Sequence, residues 1–150
     1  MEAHLPHILL IDDDQDDREL FASALVIVSP RSSLSVAADC MDALSRVDSG
    51  AIHIPNAIFL DLHLIQVSGF ECIELIQQHR LLHAVPIIVM SSSEVQSQTD
   101  RLFAMGVIYF IIKPPSFGKL KAIIDKLVNT PSMLSHGTQG PFFANQEDRQ

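Results

Sequence analysis

His7-Ile8-Leu9-Leu10-Ile11-Asp12-Asp13-Asp14 decides how the rest of the chain is read. Its first half is a short run of mostly β-favouring apolar residues without the alternation of a half-exposed strand, so it suits a strand buried on both faces. Its second half breaks that run with three carboxylates. From Asp14 on the period changes. Leu20, Phe21, Ala24, Leu25 and Val28 recur at helical spacing, the first turn is acidic as a helix N-terminus favours, and Pro30 follows the end. The stretch reads as a buried strand, a carboxylate-rich turn and an amphipathic helix.

The same unit recurs along the chain. Strands are expected over residues 34–38, 56–60, 85–90 and 107–112. Helices are expected over 40–47, over a segment lined by Phe70, Ile73 and Ile76, over the weakly amphipathic 94–105, and over a last segment striped by Phe117, Leu120, Ile124, Leu127 and Val128. Five strands alternating with five helices imply a parallel sheet covered on both faces, because each parallel crossover needs a long connection that places a helix on a face. The fold class is therefore α/β, doubly wound. Residues 1–128 form one domain. Residues 129–150, rich in Ser, Gly, Gln, Pro and charge, read as a flexible tail that carries the apolar pair Phe142-Phe143.

Composition narrows the partners. A chain of 150 residues with 47% hydrophobic and 19% charged side chains builds one core. Eighteen acidic against ten basic residues give a charge of −8, which disfavours phosphate backbones and anionic lipid heads. Lys119, Lys121 and Lys126 form the wet face of a helix rather than a basic patch. The longest apolar run, 107–112, is far short of the roughly 20 residues of a membrane span, and no basic-then-apolar leader opens the chain, so a cytoplasmic location is expected. Cys40 and Cys72, without CxxC spacing, read as two reduced, packed thiols. His79 and His83, four apart with no third ligand in view, read as a surface pair.

In open parallel sheets the ligand site lies beyond the carboxyl ends of the strands. There the chain places Asp12-Asp13-Asp14, Asp61, Ser91-Ser92 and Lys113-Pro114. Taken singly these have structural readings: Asp14, Asp16 and Asp17 as helix caps and dipole partners, Ser91 as a cap, Lys113 as the partner of an acidic cluster. Asp61 resists such a reading. It is a carboxylate between Phe59-Leu60 and Leu62 beside other carboxylates, and packed like charges cost stability unless a cation bridges them. Mg²⁺ suits so small an oxygen-ligand set. A carboxylate beside it can attack phosphorus to give an acyl phosphate, for which Lys113 and Ser91 are the right types to meet the phosphoryl oxygens.

Over about residues 7–128 the sequence resembles a receiver domain of a two-component response regulator, of flavodoxin-like fold. The matching pieces are residues 8–14, Ile58-Phe59-Leu60-Asp61-Leu62 with Gly69 eight residues later, Pro86-Ile87-Ile88-Val89-Met90-Ser91, and Gly106 followed by Phe110-Ile111-Ile112-Lys113-Pro114. The resemblance implies that Asp61 is the phosphoacceptor, Asp13 a direct Mg²⁺ ligand, Asp12 a second acid acting partly through water, and the His63 backbone carbonyl a further ligand. It implies that Lys113 pairs with the phosphoryl group, that Ser91 hydrogen-bonds to it, and that Phe110 is the aromatic switch moving with Ser91. The donor would be a histidine kinase or phosphotransfer protein. The output would be a changed protein-binding face, the face through which such domains also form homodimers, with no catalysis beyond the domain's own phosphorylation and dephosphorylation. With only 22 residues after the domain, a stand-alone regulator is expected.

Four departures stand out: Ile65 replaces a usual Pro, His63 a frequent Asn, Ser92 a frequent Ala, and Pro115 a common aromatic. The resemblance also implies a cis Lys113-Pro114 bond. A receiver-like interaction module without phosphorylation is the alternative. A haloacid-dehalogenase-type phosphatase fits less well, because His63 stands where that family needs its second acid and the acidic pair precedes the nucleophile.

Overall fold

The computed structural model describes residues 5–93, 96–134 and 140–142. Each apolar run that ends at the candidate residues forms a strand: β1 His7–Ile11, β3 Ala57–Asp61, β4 Ile87–Ser91 and β5 Tyr109–Ile112, with β2 Ser33–Ala37 at the edge. Between them lie α1 Gln15–Val28, α2 Cys40–Asp48, α3 Gly69–Gln78 and α4 Gln96–Ala104, and α5 Phe117–Asn129 follows β5. Four starts are capped as their sequences allow: Asp14, Asp39, Ser68 and Ser116 each accept a hydrogen bond from the backbone N–H three residues on.

All the strand pairs are parallel, in the order β2-β1-β3-β4-β5 with a further strand, β6 Gly140–Phe142, beyond β5. Alternate residues of each central strand face opposite layers. Leu9, Ile11, Ile58, Leu60, Val89 and Phe110 pack with α2, α3 and α4. Ile8, Leu10, Phe59, Ile88, Met90 and Ile111 pack with α1 and α5, where the Phe21 ring meets Phe59 edge-on at 5.0 Å. Each such fully buried side chain contributes about 1.5–3 kcal/mol of transfer free energy. Because β3 and β4 have no wet face, their sequences are near-continuous apolar runs. No helix among the described residues is long and apolar enough to cross a membrane.

The structure corrects the sequence reading at several points. The sheet has a sixth strand, β6 Gly140–Phe142, paired with β5 and preceded by a 3₁₀ turn at Pro131–Leu134, where a flexible tail was expected. Phe142 pairs in register with Ile111. Phe143 lies outside the described residues. Cys40 and Cys72 are joined in a disulfide rather than reduced. Helices α2 and α3 lie side by side on one face, and their first turns bring the two Cα atoms to 5.8 Å, within the usual span of a bridge. The Lys113-Pro114 bond is trans, the isomer an X–Pro bond favours by about 0.5–1 kcal/mol, not the cis form that the resemblance implied. Of the two histidines read as a surface pair, His83 is exposed and His79 half-buried. His79 accepts the Leu81 N–H at Nδ1, so its Nε2 donates to Asp48 Oδ1 at 2.7 Å, tying the end of α3 to the end of α2.

Candidate functional site

Strand order reverses on either side of β1, so the crevice between the carboxyl ends of β1 and β3 is where a ligand site is expected. Register brings the candidate residues together. Ile11 pairs with Leu60, Asp61 with Met90 and Ser91 with Ile112, so Asp12, Asp61, Ser91 and Lys113 stand on one rim. Backbone bonds fix the rim further: the Leu62 N–H donates to Met90 O and the Lys113 N–H to Ser91 O.

Carboxylate oxygens of Asp12, Asp13 and Asp61 lie within 4.8 Å of one another. Asp12 and Asp61 are buried, whereas Asp13 is half-buried. This is an all-oxygen donor set of high negative charge, the chemistry a hard divalent cation requires. Asp12 and Asp61 are held from behind. Asp12 Oδ1 accepts the Asp14 N–H at 2.9 Å, Asp61 Oδ1 accepts the His63 N–H at 3.0 Å, and Arg18 on α1 donates to the Asp12 carbonyl at 2.8 Å. Burial, with the like charges of Asp61 and Asp17, pushes the Asp12 carboxyl up to about 6, even though the Asp14 N–H and the Lys113 ammonium work in the other direction.

Lys113 Nζ reaches across the rim to Asp61 Oδ2 at 3.2 Å, Asp12 Oδ2 at 3.4 Å and Asp17 Oδ2 at 2.6 Å. Burial alone would lower its pKa. The hydrogen bond to Asp17 and the charges of Asp12, Asp61 and Asp17 overcome that and raise it, so the ammonium stays charged. On the other side Ser91, fully buried, has its Oγ 3.0 Å from His63 Nε2 and accepts the Ser93 N–H at 3.3 Å. Phe110 is buried in the cluster that also contains Leu102 of α4. Ile65 is 85% exposed, so the residue in place of the family's Pro leaves its side chain outside the core. Beside Lys113 an apolar groove runs between α1 and α5, walled by Leu20, Phe21, Pro114, Phe117 and Leu120.

Two contacts were not legible in the sequence. Asp17, read as a dipole partner, makes the shortest contact to Lys113, and His63, singled out for its carbonyl, places its ring on Ser91. Neither contact has a local signal: Asp17 and Lys113 are 96 residues apart, and His63 and Ser91 are 28 apart.

The sequence model of the family described as "Response regulator receiver domain" matches residues 8–125. The chain is 26% identical over 136 residues to the probable methanogenesis regulatory protein FilR2 of Methanothrix harundinacea, covering 85% of this chain and 84% of that protein. Two solved structures share the fold. One is the phosphorylated cyanobacterial phytochrome response regulator RcpA, with a TM-score of 0.76, 21% identity and coverage of 85% and 96% of the two chains. The other is the Mn²⁺-bound form of response regulator Rcp1, with a TM-score of 0.73, 22% identity and coverage of 90% and 99%.

Proposed function

The chain belongs to the response regulator receiver family, and from that premise we propose that it is a phospho-accepting switch in which Asp61 takes a phosphoryl group from a histidine kinase or phosphotransfer protein. The observation that carries this reading is the convergence of one ammonium and three carboxylates on one rim: Lys113 Nζ stands 3.2 Å from Asp61 Oδ2, while Asp12, Asp13 and Asp61 crowd within 4.8 Å.

Asp61 Oδ2 attacks phosphorus, a carboxylate O–P bond forms, and the donor's bond to phosphorus breaks with its electron pair leaving on the imidazole nitrogen of the donor. Lys113 stands where the phosphoryl oxygens gather negative charge, and Ser91 Oγ is the hydroxyl donor opposite it. Both face a largely buried pocket in which such contacts are stronger than in water. Asp12, Asp13, Asp61 and the His63 carbonyl would hold Mg²⁺, which when bound neutralises the acids and the incoming phosphate. The Mn²⁺-bound and phosphorylated relatives are in keeping with both parts of this reading. Ser91 exchanges its bond with the His63 ring for one to the phosphoryl group, and the packing of Phe110 beneath α4 conveys the change to the face that a partner protein reads. The domain catalyses no reaction but its own phosphorylation and dephosphorylation.

The test is the intact mass of wild type and Asp61→Asn after incubation with acetyl phosphate, with and without Mg²⁺. A single hydroxylamine-labile phosphoryl adduct that needs both Mg²⁺ and Asp61 is expected. A wild type that takes no adduct from acetyl phosphate or from a phosphorylated histidine donor would make the chain a phosphorylation-independent interaction module.

A further inference from the structure

Three carboxylates converge on Lys113 Nζ, and the shortest of the contacts is not with the acceptor. Asp17 Oδ2 lies at 2.6 Å, against 3.2 Å for Asp61 and 3.4 Å for Asp12. Charge-assisted bonds weaken steeply over that range, so the Asp17 contact is the strong one. Asp17 belongs neither to the acid cluster that could hold a cation nor to the cap of α1. Its backbone N–H serves the cap by donating to Asp14, which leaves its carboxylate to reach β5.

We propose that Asp17 is a positioning residue for phosphoryl transfer: it competes with Asp61 for the Lys113 ammonium and holds it on the α1 side of the pocket until the phosphoryl group draws it across. The inference rests on reading Asp61 as the acceptor and adds to it a residue outside the acceptor, acid pair, hydroxyl and lysine. Two observations give it direction. A phosphoryl group on Asp61 replaces a carboxylate of one negative charge by a group of about two, with three acceptor oxygens, so the pull on Lys113 grows on the Asp61 side. Of the carboxylates that share Lys113, Asp17 is the one that water can take over, since its side chain is 35% exposed while those of Asp12 and Asp61 are 1% and 6% exposed. Asp17 is therefore the partner that Lys113 releases, and its hold on the ammonium opposes the phosphorylated state.

The experiment has two arms on the full chain. Without phosphate, trace amine labelling read by peptide mass spectrometry compares Lys113 with Lys119, Lys121 and Lys126 as internal references. Asp17→Asn is expected to raise Lys113 labelling about two- to fivefold. Asp17→Glu, which keeps a carboxylate, and Asp16→Asn, which removes a neighbouring charge that makes no ion pair with Lys113, should stay near wild type. After acetyl phosphate and Mg²⁺, the loss of phosphoryl mass is followed in time. It should be about two- to fivefold slower in Asp17→Asn, and the difference should vanish when Lys113→Ala is the background. Unchanged labelling overturns the proposal, as does a lifetime change that persists without Lys113. A wild type that takes no phosphoryl group instead overturns the reading of Asp61 and the transfer role of Asp17 with it, and is told apart by the absence of the adduct in wild type itself.

Discussion

Asp12 is a buried acid whose charge costs the fold stability. Its carboxyl, ordinarily near 3.8, is raised to about 6 by burial and by neighbouring acids. An acid whose pKa is higher in the folded than in the unfolded chain favours folding when protonated. That contribution is complete below about pH 4 and is lost as pH rises through about 6, an effect on the order of 2–3 kcal/mol. In urea melts with EDTA present, Asp12→Asn should therefore be more stable than wild type at pH 7.5 and indistinguishable from it near pH 3.5; equal stability at both values would mean that Lys113 and the Asp14 N–H already compensate the buried charge. Gly69 carries a different constraint. A Cβ built there would stand 2.6 Å from the Leu62 carbonyl oxygen and 2.8 Å from its Cα, both backbone atoms of the loop that follows Asp61. Gly69→Ala should cost about 1–3 kcal/mol in the same melts, because the loop must move for the methyl to fit. A neutral substitution would show that the loop yields freely. Asp12, Asp61, Ser91 and Lys113 were legible in the sequence because each directly follows an apolar run, and strand ends are where such a sheet puts its chemistry. Asp17 and the His63 ring were not, since their contacts depend on how α1 and the loop after β3 sit over distant strands.

At the scale of elements, hydrophobic period gave the strands and helices, and the disulfide lay beyond its reach. Thirty-two residues separate Cys40 from Cys72, and nothing in their neighbours marks them as a pair until α2 and α3 are laid side by side on the sheet. The bridge and the His79–Asp48 bond fasten the two helices, the bridge near their N-terminal ends and the bond near their C-terminal ends. Closing a loop of this length removes unfolded-state entropy worth about 4 kcal/mol. Oxidised wild type, denatured without reductant, should take up no iodoacetamide and after reduction should take up two equivalents. Its urea midpoint should exceed that of Cys40→Ser/Cys72→Ser by an amount equivalent to about 4 kcal/mol. Uptake of two equivalents before reduction would restore the reading of two packed thiols. Strand β6 was equally hidden: three residues, one of them Pro, make no periodic signal, and it is the open edge of β5 that gives them a place.

The whole molecule is acidic, at −8, and it concentrates that charge at one rim, where Asp12, Asp13, Asp17 and Asp61 surround a single lysine. Four carboxylates against the Lys113 ammonium and the Arg18 guanidinium, which donates to the Asp12 carbonyl, leave about two uncompensated charges, two of the carboxylates being buried, so the metal-free fold carries an electrostatic load that a divalent cation would relieve. The unfolded chain has no such convergence, because Asp12 and Asp13 follow β1 and Asp17 lies on α1, whereas Asp61 ends β3, beyond β2 and α2. Binding free energy at the rim is then folding free energy, and stability should rise with the logarithm of Mg²⁺ once its concentration exceeds the dissociation constant. Each tenfold increase in Mg²⁺ should add about 1.4 kcal/mol for one site, read as the shift in urea midpoint at constant ionic strength. Asp13→Asn and Asp61→Asn should flatten that slope over the same range, since each replaces a carboxylate of the cluster by a neutral amide, while Asp16→Asn, outside the cluster, should keep it. Equal slopes in all four proteins would place the cation elsewhere on an acidic surface and detach the rim from metal chemistry. A slope lost only in the cluster variants would make one ion the link between the charge of the whole chain and the Asp61 carboxylate at the centre of the rim.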